Sequence, residues 1–149
     1  MSWEILKIKS EEVKLNVKVI GTIGVTKGCP YEYKVRAWTN PKDKYETKVV
    51  TSEGDPEFNE VLQISQDKHF PAEFLYVDVY KTNSEKTYRV GRGKIWLPTV
   101  KGKDFYRDVV LYKNFHRDAV LYKFAQAGVL QLSLNLNVFE VLRDVIYIP

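Results

Sequence analysis

The sequence is poor in the residues that carry most catalysis and metal chemistry. Among its 149 residues there is one cysteine, Cys29, and there are two histidines, His69 and His116. A lone cysteine excludes an internal disulfide framework and suits a reducing compartment. Cysteine and histidine together are too few for a zinc site. Neither histidine neighbours Cys29 in the chain, so no nucleophile–base pair is written locally. The run Gly91-Arg92-Gly93-Lys94 lacks the spacing of a phosphate-cradling loop. The expectation is a chain with no catalytic residue, no metal and no cofactor.

Long apolar runs are also missing. None approaches the roughly 18 residues that span a bilayer, and the opening MSWEILKIKSEE lacks the basic-then-apolar design of a signal peptide. Charge is not of one sign. Twenty-three basic residues stand against 19 acidic ones, a net +4, which permits weak attraction to anionic lipid or nucleic acid without demanding it. A cytoplasmic protein is expected, with attachment to a membrane surface as the alternative. Linkers, low-complexity tracts and composition breaks are absent, so residues 1–149 read as a single domain.

What the chain does have is alternation. Val13, Leu15, Val17 and Val19 interleave with Lys14, Asn16 and Lys18, as in a strand with one wet face. The pattern returns at Tyr31 to Trp38, Tyr45 to Val49, Phe58 to Ile64, Phe74 to Tyr80 and Val90 to Leu97, and most clearly in VLQLSLNL from Val129. Turn chemistry separates these runs: residues 21–30, Asn40-Pro41-Lys42-Asp43, Glu53-Gly54-Asp55-Pro56 and Lys81 to Thr87. With one more strand from residues 104–123, about eight short strands predict an all-β antiparallel sandwich.

The stretch YETKVVTSEGDPEFNEVLQIS, from Tyr45, resembles the third strand, second loop and fourth strand of C2 domains, a family of calcium- and lipid-binding β-sandwiches. The matching parts are Thr47-Lys48-Val49, Asp55-Pro56, Phe58-Asn59-Glu60 and Val61 to Ile64. In physical terms Pro56 fixes a turn, Phe58 anchors the next strand in the core, and the Asn59 amide is placed to bridge loop backbone groups. LYVDVYKTNSEKTYRVGRGKIWLP resembles the fifth strand, third loop and sixth strand. VKLNVKVIGTIG, PYEYKVRAW and GVLQLSLNL fit the first, second and closing strands. The resemblance covers about residues 12–137, leaving an N-terminal and a C-terminal extension. It implies an eight-stranded antiparallel sandwich of C2 type.

Calcium-binding members of that family hold the ion with aspartates of the first and third loops. Calcium requires six to eight oxygens, several of them charged. Residues 21–31 contain no Asp or Glu, the third-loop ligand positions fall on Lys81 and Asn83, and only Glu85 is acidic between Lys81 and Arg89. A lysine ammonium in the cup repels the cation. The resemblance therefore implies a calcium-independent relative, either a protein-binding adaptor or scaffold component, or a peripheral membrane binder.

For the membrane reading, the outward positions Lys34, Arg36, Lys44 and Lys48 form a candidate anionic-headgroup face, at about 1 kcal/mol per cation near an anionic surface. Glu32 and Glu46 share that face and oppose it. Loop insertion has little to use beyond Ile23, Val25 and Tyr88. Arg89, Arg92 and Lys94 cluster among aromatics, but no nucleic-acid recognition motif accompanies them, and nucleic acid is not expected as a partner.

For the protein-partner reading, two stretches outside the family pattern are apolar: Trp3, Ile5, Leu6 and Ile8, and the segment VFEVLRDVIYIP. Either they pack on the sandwich as added strands or they form adhesive surface for a partner or a homo-oligomer.

Residues 104–123 add a repeat. DFYRDVVLYK is followed at once by NFHRDAVLYK, identical at seven of ten positions. A ten-residue period presents the same faces in either copy. The expectation is that Arg117 to Tyr122 of the second copy forms the seventh strand beside the last. The first copy, within a 101–116 insertion, is then a short helix or an extra edge strand, with Arg107, Asp108 and Tyr112 as partner contacts. Position 116 replaces Tyr106 by His, the mark of a tolerant site.

Overall fold

The structure, a computed structural model, describes residues 2–25, 30–67, 69, 71–113 and 126–149. The described elements are all strands: β1 (Glu4–Ile23), β2 (Tyr31–Asn40), β3 (Asp43–Glu46), β4 (Val50–Ser52), β5 (Glu57–Gln66), β6 (Phe74–Thr82), β7 (Thr87–Trp96), β8 (Asp104–Tyr112) and β9 (Gln126–Tyr147). Their order is β3-β2-β6-β7-β8-β9-β1-β5, with β4 also on β2.

Since β3 and β4 lie in succession against β2, they act as one interrupted strand, and the sheet has eight lanes. Thr47 bridges the interruption. Its N–H donates to the Val35 carbonyl, and its buried hydroxyl accepts from the Val35 N–H, both at 2.9 Å. Between β7 and β8 the register holds a single pair, Arg92 with Tyr112. The lanes thus divide into two leaves, β3/β4-β2-β6-β7 and β5-β1-β9-β8, which close on each other as a sandwich.

The alternating residues meet between the leaves. Tyr33, Val35, Ala37, Leu75, Val77 and Val79 from one leaf face Leu15, Val17, Val19, Ile64, Leu130, Leu132 and Leu134 from the other, all essentially without solvent contact. β-Branched and leucine side chains at every second position suit a pleated, half-buried surface. Phe58 packs against this core as expected.

The repeat resolves differently from the expectation. Of the two alternatives for the first copy, the strand is the one observed, not the helix. It is β8, the last strand of its leaf, pairing with β9 from Asp104 opposite Asn135 to Val110 opposite Val129 and meeting β7 at Arg92. The physical reason lies in β7. A Cβ on Gly93 would stand 2.5 Å from Val109 Cγ1, and one on Gly91 2.9 Å from Leu111 Cβ. The two glycines make room for the buried Val109 and Leu111 of the first copy. The second copy carries the smaller Ala119 at the position of Val109. The expected strand Arg117 to Tyr122 lies outside the described residues; the first copy takes the place beside the last strand.

The two long strands outrun the sandwich. β5 covers β1 only from Val13, opposite Gln66, and β8 covers β9 only to Asn135. Beyond those points β1 and β9 pair with each other alone, from Glu12 opposite Phe139 to Glu4 opposite Tyr147. The apolar extensions are therefore a two-stranded ribbon that continues the sheet past its core.

Candidate interaction sites

The end of the sandwich holding the β1–β2, β4–β5 and β6–β7 loops is organised by internal hydrogen bonds. Asp55 accepts from the Thr22 hydroxyl at 3.1 Å and from the Gly24 and Val25 N–H groups at 2.9 Å each. The Thr22 N–H donates to the Pro56 carbonyl at 3.1 Å. The loop-bridging side chain is thus the Asp55 carboxylate, while Asn59, expected to bridge, takes a left-handed backbone at φ 47°. Asn tolerates that region better than most residues.

The β6–β7 loop closes on itself. The Asn83 amide oxygen accepts from the Glu85 and Lys86 N–H groups at 3.1 and 3.0 Å, and the Asn83 N–H reaches the Lys86 carbonyl. The Thr82 and Thr87 hydroxyls meet at 3.0 Å across its base. Lys81 lies over the Tyr31 ring, 4.8 Å from its centroid. The oxygen of Asn83 is committed to a turn, and the ammonium of Lys81 sits on an aromatic face.

The outward face of β2, β3, β6 and β7 carries the candidate headgroup residues. Lys34 and Arg36 converge on Glu46: Arg36 Nε is 2.8 Å and Lys34 Nζ 3.6 Å from its carboxylate. The hydrogen bond from Arg36 holds the Glu46 carboxyl below its ordinary range, and Glu46 in turn raises Arg36. Lys44 lies over the Trp38 ring at 4.5 Å. Lys48 occupies the gap between β3 and β4, where its backbone N–H donates to Glu60 at 2.9 Å. The opposition of Glu46, legible in the alternation, is thus a direct pairing of two of the four cations.

A second carboxylate on this face was not anticipated. Asp78 is wholly buried, although it points away from the core. Arg92 forks onto it at 2.7 and 2.9 Å, and the Tyr80 hydroxyl donates at 3.0 Å. Burial pushes the Tyr80 phenol up, with the neighbouring Asp78 adding to the effect. Trp38 stacks on Tyr76 at 5.8 Å, and Phe74 meets Trp96 at 4.2 Å. The sequence signal was an acid inside the apolar run YVDVY, directly opposite Arg92 in the register. A charge in such a place needs a partner.

The candidate partner residues on β8 divide between faces. Asp108 and Tyr112 share the outward side by period two; Arg107 points the other way, with its guanidinium 5.3 Å from the Phe105 ring. Both Arg107 and Asp108 are exposed, and Tyr112 is half-buried.

The ribbon holds many of the exposed apolar side chains among the described residues. One face presents Leu6, Ile8, Phe139, Val141 and Val145, the other Ile5, Leu142 and Ile146. Ile5 and Leu142 are each 63% exposed. Arg143 donates to Glu12 at 2.7 Å, and Tyr147 to Glu4 at 2.6 Å, across the ribbon. At its foot, between the β5–β6 and β7–β8 loops, a cleft of about 450 Å³ is lined by Val13, Pro71, Trp96, Leu97, Pro98 and Leu136.

These features define a C2-type sandwich with loop, sheet-face and ribbon surfaces, and comparison with solved structures agrees. A C2 domain of plant Extended Synaptotagmin 1 superposes with a TM-score of 0.61 at 20% identity, over 85% of this chain and 95% of that one. The structure of CC2D1B, which coordinates ESCRT-III activity during the mitotic reformation of the nuclear envelope, gives 0.63 at 15% identity, over 82% of this chain and 54% of that chain. Human GIVD cytosolic phospholipase A2 gives 0.61 at 15% identity, over 86% of this chain but 16% of that much longer one. No protein-family model and no curated protein matches the chain. The fold is that of C2 domains. No described helix is long and apolar enough to cross a membrane.

Proposed function

We propose that the chain is a calcium-independent C2-type interaction module whose main role is to bind protein, as an adaptor or scaffold component. The observation that carries this reading is the ribbon, which holds aliphatic side chains out on both faces beyond the core they would otherwise join. Exposed apolar area of this kind favours macromolecular contact. Calcium independence is supported by the first loop, which has no acidic residue over 21–31. It is also supported by the third loop, where Asn83 and Lys81 have other engagements.

A second reading, attachment to anionic membrane through Lys34, Arg36, Lys44 and Lys48, draws on the cations laid over aromatic rings, including Lys44 on Trp38 and Lys94 on Phe74. Glu46 and Asp78 neutralise much of that face, and this places it second.

The test pairs affinity capture with vesicle co-sedimentation, each with calcium and with chelator. Capture of a protein that is indifferent to calcium and lost in the double variant Leu6→Ser/Val145→Ser supports the module. Calcium-dependent heat at micromolar concentration in calorimetry would overturn the reading of the loops. Retention on anionic vesicles that is abolished by Lys34→Glu/Lys44→Glu would put the membrane reading first.

A further inference from the structure

The two edges of the ribbon differ, and the difference names a partner. Past Val13 the outer edge of β1 pairs with no strand among the described residues. Past the bridge of Lys101 to Leu136 the same holds for β9. An uncovered strand is a template for another strand, and charged side chains along it discourage pairing. On β1 the segment Glu4 to Glu12 carries five charged residues in nine: Glu4, Lys7, Lys9, Glu11 and Glu12. On β9 the segment Val138 to Tyr147 carries three in ten: Glu140, Arg143 and Asp144. One edge is blunted; the other is open.

The open edge also complements itself. Laid antiparallel to a second copy about a two-fold axis at Leu142, it sets Leu142 against Leu142, Phe139 against Val145 and Val138 against Ile146. Opposed residues have the same parity, so the faces of the two ribbons match. Arg143, which falls opposite Val141, is already held by Glu12. The like-charged rows, two by symmetry, set Glu140 against Asp144, and Lys7 stands across the home ribbon from each Asp144. The same operation on β1, centred on Ile8, would oppose Glu4 with Glu12 and Lys7 with Lys9, like charge on like charge in each row.

We infer that the chain forms a two-fold dimer through the β9 edge over residues 138–146, joining two ribbons into one four-stranded antiparallel sheet. A lone two-stranded ribbon is marginal in water, whereas a wider sheet with an apolar face is stable. The contact is isologous and closes on itself. It leaves the charged β1 segments on both outer edges, which stops further growth. This rests on the reading of the ribbon as an interaction element but uses its edge, leaving the faces with Leu6 and Val145 for other partners.

Sedimentation equilibrium and native mass spectrometry of the full chain test the inference. The expected mass is twice the 17.4 kDa of one chain. Leu142→Lys sets two ammonium groups across the axis and is expected to weaken the dimer about a hundredfold or more; Ile8→Lys, on the outer strand, is expected to change it by less than about threefold. Should Leu142→Lys disturb the ribbon itself, a disulfide decides. Leu142→Cys in a Cys29→Ser background is expected to cross-link under mild oxidation, as cross-strand spacing permits, and Ile8→Cys is not. A 17.4 kDa species at every concentration up to about 100 µM overturns the dimer. So does cross-linking at Ile8 instead of Leu142. A monomer that still captures a protein through Leu6 and Val145 would sink the pairing while leaving the proposed function standing. A monomer that inserts its ribbon into vesicles would sink both.

Discussion

The strands β1 and β9 run through two environments, and little in their own sequence distinguishes the two. Inside the sandwich, Leu15 and Leu134 are flanked by β5 and β8, covered by the opposite leaf and fully buried. In the ribbon, on the same face of β9, Leu142 has one strand beside it and remains 63% exposed. Alternation and pairing continue unbroken; what ends is the cover. Strand pairing alone thus sets geometry, while a second layer gives burial and its roughly 25 cal/mol per Å² of apolar surface.

That contrast can be tested at matched positions. Leu134→Ala should cost about 2–5 kcal/mol in urea unfolding, through lost transfer energy and a cavity. A cost under about 1 kcal/mol would show a looser sandwich than described. Asp55→Ala, which removes the acceptor for three loop donors, should cost about 1.5–3 kcal/mol. It fixes the loop end of the sandwich, opposite the ribbon. Leu142→Ala, measured on dilute monomer, should fall within about 0.5 kcal/mol of the parent. Amide exchange should agree with this. Sites over 13–19 should open only with global unfolding, and those over 4–12 by local opening.

The smallest effect is a pH dependence at the ribbon tip. The hydrogen bond from Tyr147 to Glu4 raises the phenol above its ordinary range. Because the folded value lies above the unfolded one, this contribution is complete below about pH 10 and is lost as pH rises through the raised value. Ultraviolet titration of the parent against Tyr147→Phe should show the missing phenol among the late-ionising ones. Glu4→Gln should bring that phenol back toward the ordinary range.

The lanes of the sandwich were legible because period two survives wherever one face is wet, as in Val13 to Val19 and Val129 to Leu136. The pairing of Lys34 and Arg36 with Glu46 was also foreshadowed, since alternation put all three on one side. The choice between repeat copies was not read from the repeat itself, because both share the pattern. It depends on Gly91 and Gly93, whose missing side chains are complementary to Val109 and Leu111 across the joint. Such a signal lies in two segments at once. Asp78 was hidden for the same reason, as its partner Arg92 stands on another strand. The extensions were legible as apolar, but neither periodicity nor composition says whether a strand has a second layer above it.

The pairing of β1 with β9 also sets a constraint on the path to this fold. Glu12 and Arg143, which bond across the ribbon, stand 131 positions apart. Contacts of such separation are dearest in loop-closure entropy and slow the folding of chains that depend on them. The β2–β6–β7 leaf closes much shorter loops, the widest β2–β6 pair being Glu32 with Thr82. It is expected to assemble first, leaving β1 and β5 as an exposed hairpin-like pair until residues 126–147 arrive between β1 and β8. During that interval the apolar strands of the second leaf are the part of the molecule most open to aggregation, and a chaperone has most to shield there.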